Sequence, residues 1–138
     1  MPKLLLITAL LCGCSVRHLE GHDRYFEVCV DGEIEFHLEL GNEEIACDSS
    51  PARSGQLRIK MAPSGLSEMP TELGVEDLIL VEWCSDESAC LPATGGLLTL
   101  VAYEEGIALS GPYSFALADG SHIEGELAAQ FCDYSPCP

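Results

Sequence analysis

Tyr25-Phe26-Glu27-Val28-Cys29-Val30-Asp31-Gly32-Glu33-Ile34-Glu35-Phe36-His37-Leu38-Glu39-Leu40 is the run whose reading decides the fold. Its side chains change character with a period of two. Phe26, Val28 and Val30 alternate with Tyr25, Glu27 and Cys29; later, Ile34, Phe36, Leu38 and Leu40 alternate with Glu33, Glu35, His37 and Glu39. That period puts one set on each face of an extended chain, as in a half-buried strand. Asp31-Gly32 between the two halves is a strong turn dipeptide, so the run predicts an antiparallel hairpin that ends at Gly41-Asn42.

The same period recurs towards the C-terminus. Ile45-Ala46-Cys47 fits a short third strand. Over residues 56–62, Leu57, Ile59 and Met61 alternate with Arg58 and Lys60. Residues 63–74 carry Pro, Gly and Ser at intervals and predict an irregular loop, with at most one helical turn around Ser67-Glu68-Met69. Residues 75–83 are apolar on both faces, which predicts a central strand. Three more strands are expected over 96–103, 107–118 and 121–131, turned at Glu104-Glu105-Gly106 and Asp119-Gly120. Pro112 removes a ladder donor and marks an edge or a bulge. No stretch holds a helical 3.6 spacing. The expected fold class is all-β, a small antiparallel sandwich or flattened barrel, mostly hairpin-connected. A single curled sheet covered by the 63–74 loop is the competing picture.

Upstream of the hairpin the chain changes. Met1-Pro2-Lys3 gives a basic start, and residues 4–11 are apolar apart from Thr8. That run is too short to span a bilayer core of roughly 30 Å, but it fits a cleaved export signal. Leu11-Cys12-Gly13-Cys14 then resembles the lipobox of bacterial lipoproteins, with an aliphatic residue at −3, a small one at −1 and cysteine at +1. The resemblance implies that Cys14 becomes the first mature residue and carries the lipid. It divides the chain into a signal peptide (1–13), a lipidated cysteine with a short polar tether (14–24) and one disulfide-stabilised β domain (25–138). Ser15, where aspartate often signals inner-membrane retention in Gram-negative lipoproteins, points towards the outer membrane.

Composition agrees with export. The chain carries 23 acidic residues against six Lys and Arg, a net charge of −17. Such a field disfavours nucleic acid and suits a basic envelope protein or a cationic ligand. Beyond the signal stand Cys29, Cys47, Cys84, Cys90, Cys132 and Cys137. In an oxidising envelope this even number predicts disulfides. The leading expectation is the all-local set, Cys29–Cys47, Cys84–Cys90 and Cys132–Cys137. Its competitor ties Cys132 or Cys137 back to the first half.

Near the C-terminus, Gly111-Pro112-Tyr113-Ser114-Phe115, Asp119-Gly120-Ser121, Gly125-Glu126-Leu127 and Phe131-Cys132 resemble the closing hairpin of small, uncharacterised, disulfide-containing envelope lipoproteins. Leu127 stands where an aromatic is usual, and the resemblance brings no activity with it. The chain has no nucleophile elbow, zinc-protease helix, phosphate loop or dinucleotide fingerprint. His18, His22 and Asp23 have metal-ligand residue types. Glu33, Glu35 and Glu39 share a strand face, with neighbouring i,i+2 side chains about 7 Å apart, a separation a glycosidase can use. Asp86-Glu87-Ser88 and Glu43-Glu44 through Asp48 are candidates for weak calcium binding, and no other cofactor is expected. The function expected is that of a membrane-anchored, non-enzymatic envelope lipoprotein with a binding or structural β domain. The alternatives are a small carboxylate-dependent hydrolase or carbohydrate-acting enzyme, and an inhibitor-like or small-ligand-binding module.

Overall fold

The computed structural model describes residues 16–19, 22–41, 47, 55–66, 68–86 and 88–134. Among these, ten strands run in order: β1 (Val16–Leu19), β2 (His22–Val30), β3 (Glu33–Gly41), β4 (Gln56–Met61), β5 (Thr71–Gly74), β6 (Leu80–Cys84), β7 (Cys90–Leu100), β8 (Ala102–Glu104), β9 (Ala108–Leu117) and β10 (His122–Tyr134). Single 3₁₀ turns lie at Pro63–Leu66 and Val75–Asp77. The all-β, hairpin-connected reading therefore holds. The deciding hairpin forms as expected: β2 and β3 pair from His22↔Gly41 to Val30↔Glu33. Asp31 and Gly32 both take positive φ, 51° and 83°, the conformation a two-residue hairpin turn requires.

From β3 the ladder passes antiparallel to β4, β6, β7, β9 and β10. It then returns from β10 to β2 by a parallel pairing, so seven strands make a closed, barrel-like circuit. Parity explains the parallel seam. In an up-and-down chain each strand reverses the last, so an odd number leaves the first and last strands pointing the same way. The circuit is also staggered. Following the partners Ala129↔Asp23↔Leu40↔Leu57↔Trp83↔Leu91 and then across β9 brings the path back to β10 about ten residues before Ala129, the offset that accompanies steeply tilted strands.

Stagger leaves lengths of edge uncovered, and the two shortest flanking strands cover them. β2 pairs with β10 only from Ala129 onward, and β1 occupies the same edge at His122–Gly125. β6 pairs with β7 only over Cys90–Pro92, and β5 covers Leu97–Leu100. Unpaired edges are exposed templates for association, which gives both short strands a physical reason. The polar tether expected over 14–24 is thereby corrected: residues 16–19 are a strand of the sheet, and β2 begins at His22 rather than Tyr25. Likewise the 63–74 loop contains β5, and the strand expected over 75–83 is a 3₁₀ turn followed by β6. β6 is nevertheless central, between β4 and β7. The proposed strand at 45–47 falls mostly outside the described residues.

Inside the circuit, Tyr25, Phe36, Leu38, Leu40, Leu57, Ile59, Met61, Leu98, Leu100, Leu109, Phe115 and Leu117 are fully buried. Small residues face large ones across the ladders. Gly96 opposes Phe115 and Gly125 opposes Tyr113, and a Cβ on Gly96 would run into the backbone at Ser114 and Phe115. Pro112 is exposed and opposes Glu126. On its other side β9 changes partner from β7 to β8, so its missing N–H falls where the ladder is already interrupted.

Two disulfides join described cysteines, Cys84–Cys90 and Cys47–Cys132. The first was expected as a local loop. The second corrects the all-local set, since neither Cys29–Cys47 nor Cys132–Cys137 can then form. Cys29 is also disulfide-bonded, with its partner outside the described residues, as is Cys137 itself. The reason lies in strand parity. Cys29 has the parity of inward-facing Tyr25, whereas Cys47 lies beside Gln130, whose Nε2 donates to its Sγ at 3.0 Å. Cys132 is the extra residue where the register shifts between Phe131 and Asp133, and such bulges re-aim a side chain. The two bridges close loops of very different length, with separations of 85 and 6 residues. In non-reducing urea unfolding, replacing both Cys47 and Cys132 by Ala is expected to cost about 4–5 kcal/mol, and replacing Cys84 and Cys90 about 2 kcal/mol. Equal costs would contradict this pairing.

Candidate functional site

Of the four Lys and Arg among the described residues, three stand on the outer face of β2–β4. Ladder register aligns Arg24, Glu39, Arg58 and Glu82 across four strands, so opposite charges alternate at the strand spacing. The tightest contact is Arg24 Nε to Glu39 Oε1 at 2.7 Å, with Arg24 only 3% exposed. The guanidinium also lies over Phe26, 5.1 Å from the ring centroid. Arg58 Nε donates to Gln56 Oε1 at 2.8 Å. One row further on, His37 Nε2 meets Glu35 Oε1 at 3.1 Å and Lys60 is its neighbour in register. His37, Glu39, Arg58 and Lys60 border a shallow depression of about 190 Å³. This face is a ladder of alternating charge, with a shallow hollow at which Lys60 and Arg58 can offer donors.

The carboxylates read as a possible catalytic pair are thus separately engaged, Glu39 with Arg24 and Glu35 with His37. They stand on the outer wall of the circuit rather than in a cleft. His37 is half-buried against Glu35. The possible metal group on the N-terminal segment also divides. His18 turns outward to Glu124 at 3.4 Å, while buried Asp23 accepts the Ala128 N–H at 2.9 Å. His122 is exposed beside the β9–β10 turn.

A second surface lies at one mouth of the circuit, where the β6–β7 and β9–β10 turns gather. Arg17 and Leu19 share the inward parity of β1. Leu19 enters the core, and Arg17 holds its guanidinium 5.4 Å from the centroid of Trp83. Arg17, Trp83, Ser85, Ala89, Cys90 and Leu91 line a groove of about 300 Å³. The adjoining loop is ordered by Asp86, whose Oδ1 accepts from Ser88 N, Ser88 Oγ and Ala89 N at 2.8–2.9 Å. Those bonds hold its carboxyl below the ordinary aspartate range. Asp119 is held low in the same way by Ser121, with a smaller contribution from Arg17. Among the described residues Glu82, Cys84 and Cys90 offer three potential ligand atoms within 4.8 Å, but the two sulfurs are bonded to each other and supply no thiolate. Glu43, Glu44, Asp48 and Glu87 of the calcium candidates, and the lipidation candidate Cys14, lie outside the described residues.

The opposite mouth is aromatic. Tyr25 packs against Phe36 and Phe131 at 5.4 and 5.3 Å between ring centroids, and Phe36 packs against Tyr103 at 6.0 Å. The Tyr25 hydroxyl is buried and has no hydrogen-bond partner among the described residues. Burial, then Tyr103, Glu27 and Glu105, push its pKa up to about 12. Glu27 is itself raised by burial and by Glu105.

Comparison with protein families, with curated proteins and with solved structures finds no match for this chain.

Two outcomes follow from these contacts. Glu39→Gln is expected to lower stability by about 2–3 kcal/mol, because it removes the charge facing a desolvated arginine, and Glu35→Gln by less than about 1 kcal/mol. Equal effects in urea titrations would refute the difference in burial. Tyr25→Phe is expected to be neutral or to stabilise by about 1 kcal/mol at pH 7, since it deletes a polar group without a partner. Because burial raises the Tyr25 pKa, its contribution to stability is intact below about pH 10 and is lost as pH rises through about 12. The phenylalanine variant should therefore unfold less readily than the parent as pH climbs through that window; a steeper alkaline loss would sink this account.

Proposed function

We propose that this chain is a non-enzymatic envelope lipoprotein, anchored through Cys14, whose rigid β domain serves a binding or structural role at the membrane surface. The observation that carries the domain's part of the reading is where its charged groups and grooves lie. The inward side chains of the circuit are buried and apolar, while its ion pairs and grooves lie on the outer wall and at one rim. Aromatic rings belong to this core: Phe115 is fully buried, Tyr113 stacks on it, and Tyr103 packs on Phe36. A partner carrying basic residues suits the acidic rims, and Lys60 and Arg58 can accept a carboxylate of the same partner.

The anchor's part of the reading rests on the Leu11-Cys12-Gly13-Cys14 resemblance and on an acidic, disulfide-bonded body suited to an oxidising compartment. The signal's neighbour Ser15 favours the outer membrane. Several acyl chains, each methylene worth about 0.8 kcal/mol when buried, would make such an anchor stable rather than transient. Cells expressing the full chain and fed a clickable fatty acid should label it, and Cys14→Ser should abolish the label. An unlabelled parent, or a labelled Cys14→Ser protein, would refute the anchor.

A further inference from the structure

We propose that the mouth carrying Arg17 and Trp83 is held against the lipid bilayer, so that the circuit stands upright with the Ile107 mouth pointing away. This rests on the Cys14 anchor and adds to it an orientation and a lipid-facing surface.

The argument starts from β1. A tether of ten or so flexible residues would leave a lipidated domain free to tumble at the surface. Here the sheet begins at Val16, which pairs with His122. Only Ser15 separates that ladder from the anchor, so the Cα atoms of Cys14 and Val16 can be no more than roughly 7 Å apart. β1 is also fixed independently of the membrane. Four residues pair with β10, Leu19 is in the core, His18 meets Glu124, and Arg17 lies on Trp83. The segment that begins two residues after the anchor is therefore part of a paired sheet.

Position on that wall decides which end faces the lipid. β1 runs parallel to β10, and Val16 lies at the start of β10 beside the β9–β10 turn. The same mouth holds the β6–β7 loop and the Arg17–Trp83 groove. At this end Val16 is 50% exposed, and the half-buried Arg17 lies across Trp83, which is itself only 8% exposed, so an apolar side chain and an arginine stem face the boundary between hydrocarbon and water. Charge then sets the tilt. Without Lys3 of the signal, five Lys and Arg against 23 acidic residues give the anchored body a net charge of −18, which anionic headgroups repel, so laying a side wall on such a surface is unfavourable while one rim is held down covalently. The far mouth, with Ile107 61% exposed just after Glu104-Glu105-Gly106, is lifted by the length of the wall. Ile107 accepts the Phe131 N–H and Val16 pairs with His122, and that length of β10, tilted as barrel strands are, gives roughly 20–25 Å.

Trp83 is the only tryptophan in the chain, so the native protein carries its own reporter. The full chain, acylated in cells and checked by mass, would be placed in vesicles of phosphatidylcholine and anionic phosphatidylglycerol containing dansyl-labelled phosphatidylethanolamine. Energy transfer from Trp83 to the headgroup dansyl should be several-fold stronger than from a tryptophan at position 107 in the Trp83→Phe, Ile107→Trp protein. A twelve-residue Gly/Ser insertion between Ser15 and Val16 should reduce the Trp83 transfer sharply. Equal or reversed transfer in acylated protein would overturn the orientation and leave the anchor standing, and so would transfer indifferent to the insertion. A product without acyl mass would remove the anchor itself, and with it the orientation.

Discussion

The parallel ladder between β10 and β2 is the constraint on which the rest of this protein depends. Without it the strands form an open sheet with two long edges. With it, Phe131 meets Tyr25 and Ala129 meets Asp23, and the inward side chains of seven strands enclose one core. Closure by an odd number of strands makes the seam parallel, and closure with stagger exposes part of the β10 edge. β1 covers that exposed length. The Cys47–Cys132 bridge sits at the bulge in the same seam, so covalent and hydrogen-bonded closure coincide. A chain of about this size has limited core to offset its conformational entropy, and a long-range bridge at the seam acts where opening would begin.

Charge is organised around this frame rather than spread over it. Acidic residues dominate the turns and rims, while three of the described cations are gathered on β2–β4. Arg24 is desolvated and paired with Glu39, and removal of one partner of a buried pair costs far more than the pair contributes against an apolar alternative. Arg58 and Lys60, less deeply placed, are available to a partner. The same wall thus combines an ion pair near the seam with a shallow hollow one strand away.

Much of this was legible in the residues. Period-two alternation located β3, β4, β9 and β10, and Asp31-Gly32 announced a turn that the backbone adopts. Cys84 and Cys90 were readable as a local bridge because only a polar loop separates them. What escaped were features that depend on the closed circuit. β1 and β5 are four-residue strands whose role is to cover edges created by stagger, and stagger is a property of the whole ring. The Cys47–Cys132 pairing turns on a bulge, which re-aims one side chain without leaving a local signature. Glu39 looked like any solvent-facing acid until register set it against Arg24. The groove at Arg17 and Trp83 joins β1 to the β6–β7 loop, two segments far apart in sequence.

Closure is also the claim most open to direct measurement. In a two-dimensional exchange and NOE experiment on the labelled protein, a closed circuit gives backbone contacts between Tyr25 and Phe131 and between Asp23 and Ala129, with slow amide exchange in β10 on the side facing β2. An open sandwich would lack those contacts and would exchange β2 and β10 amides rapidly along two free edges, contradicting the account.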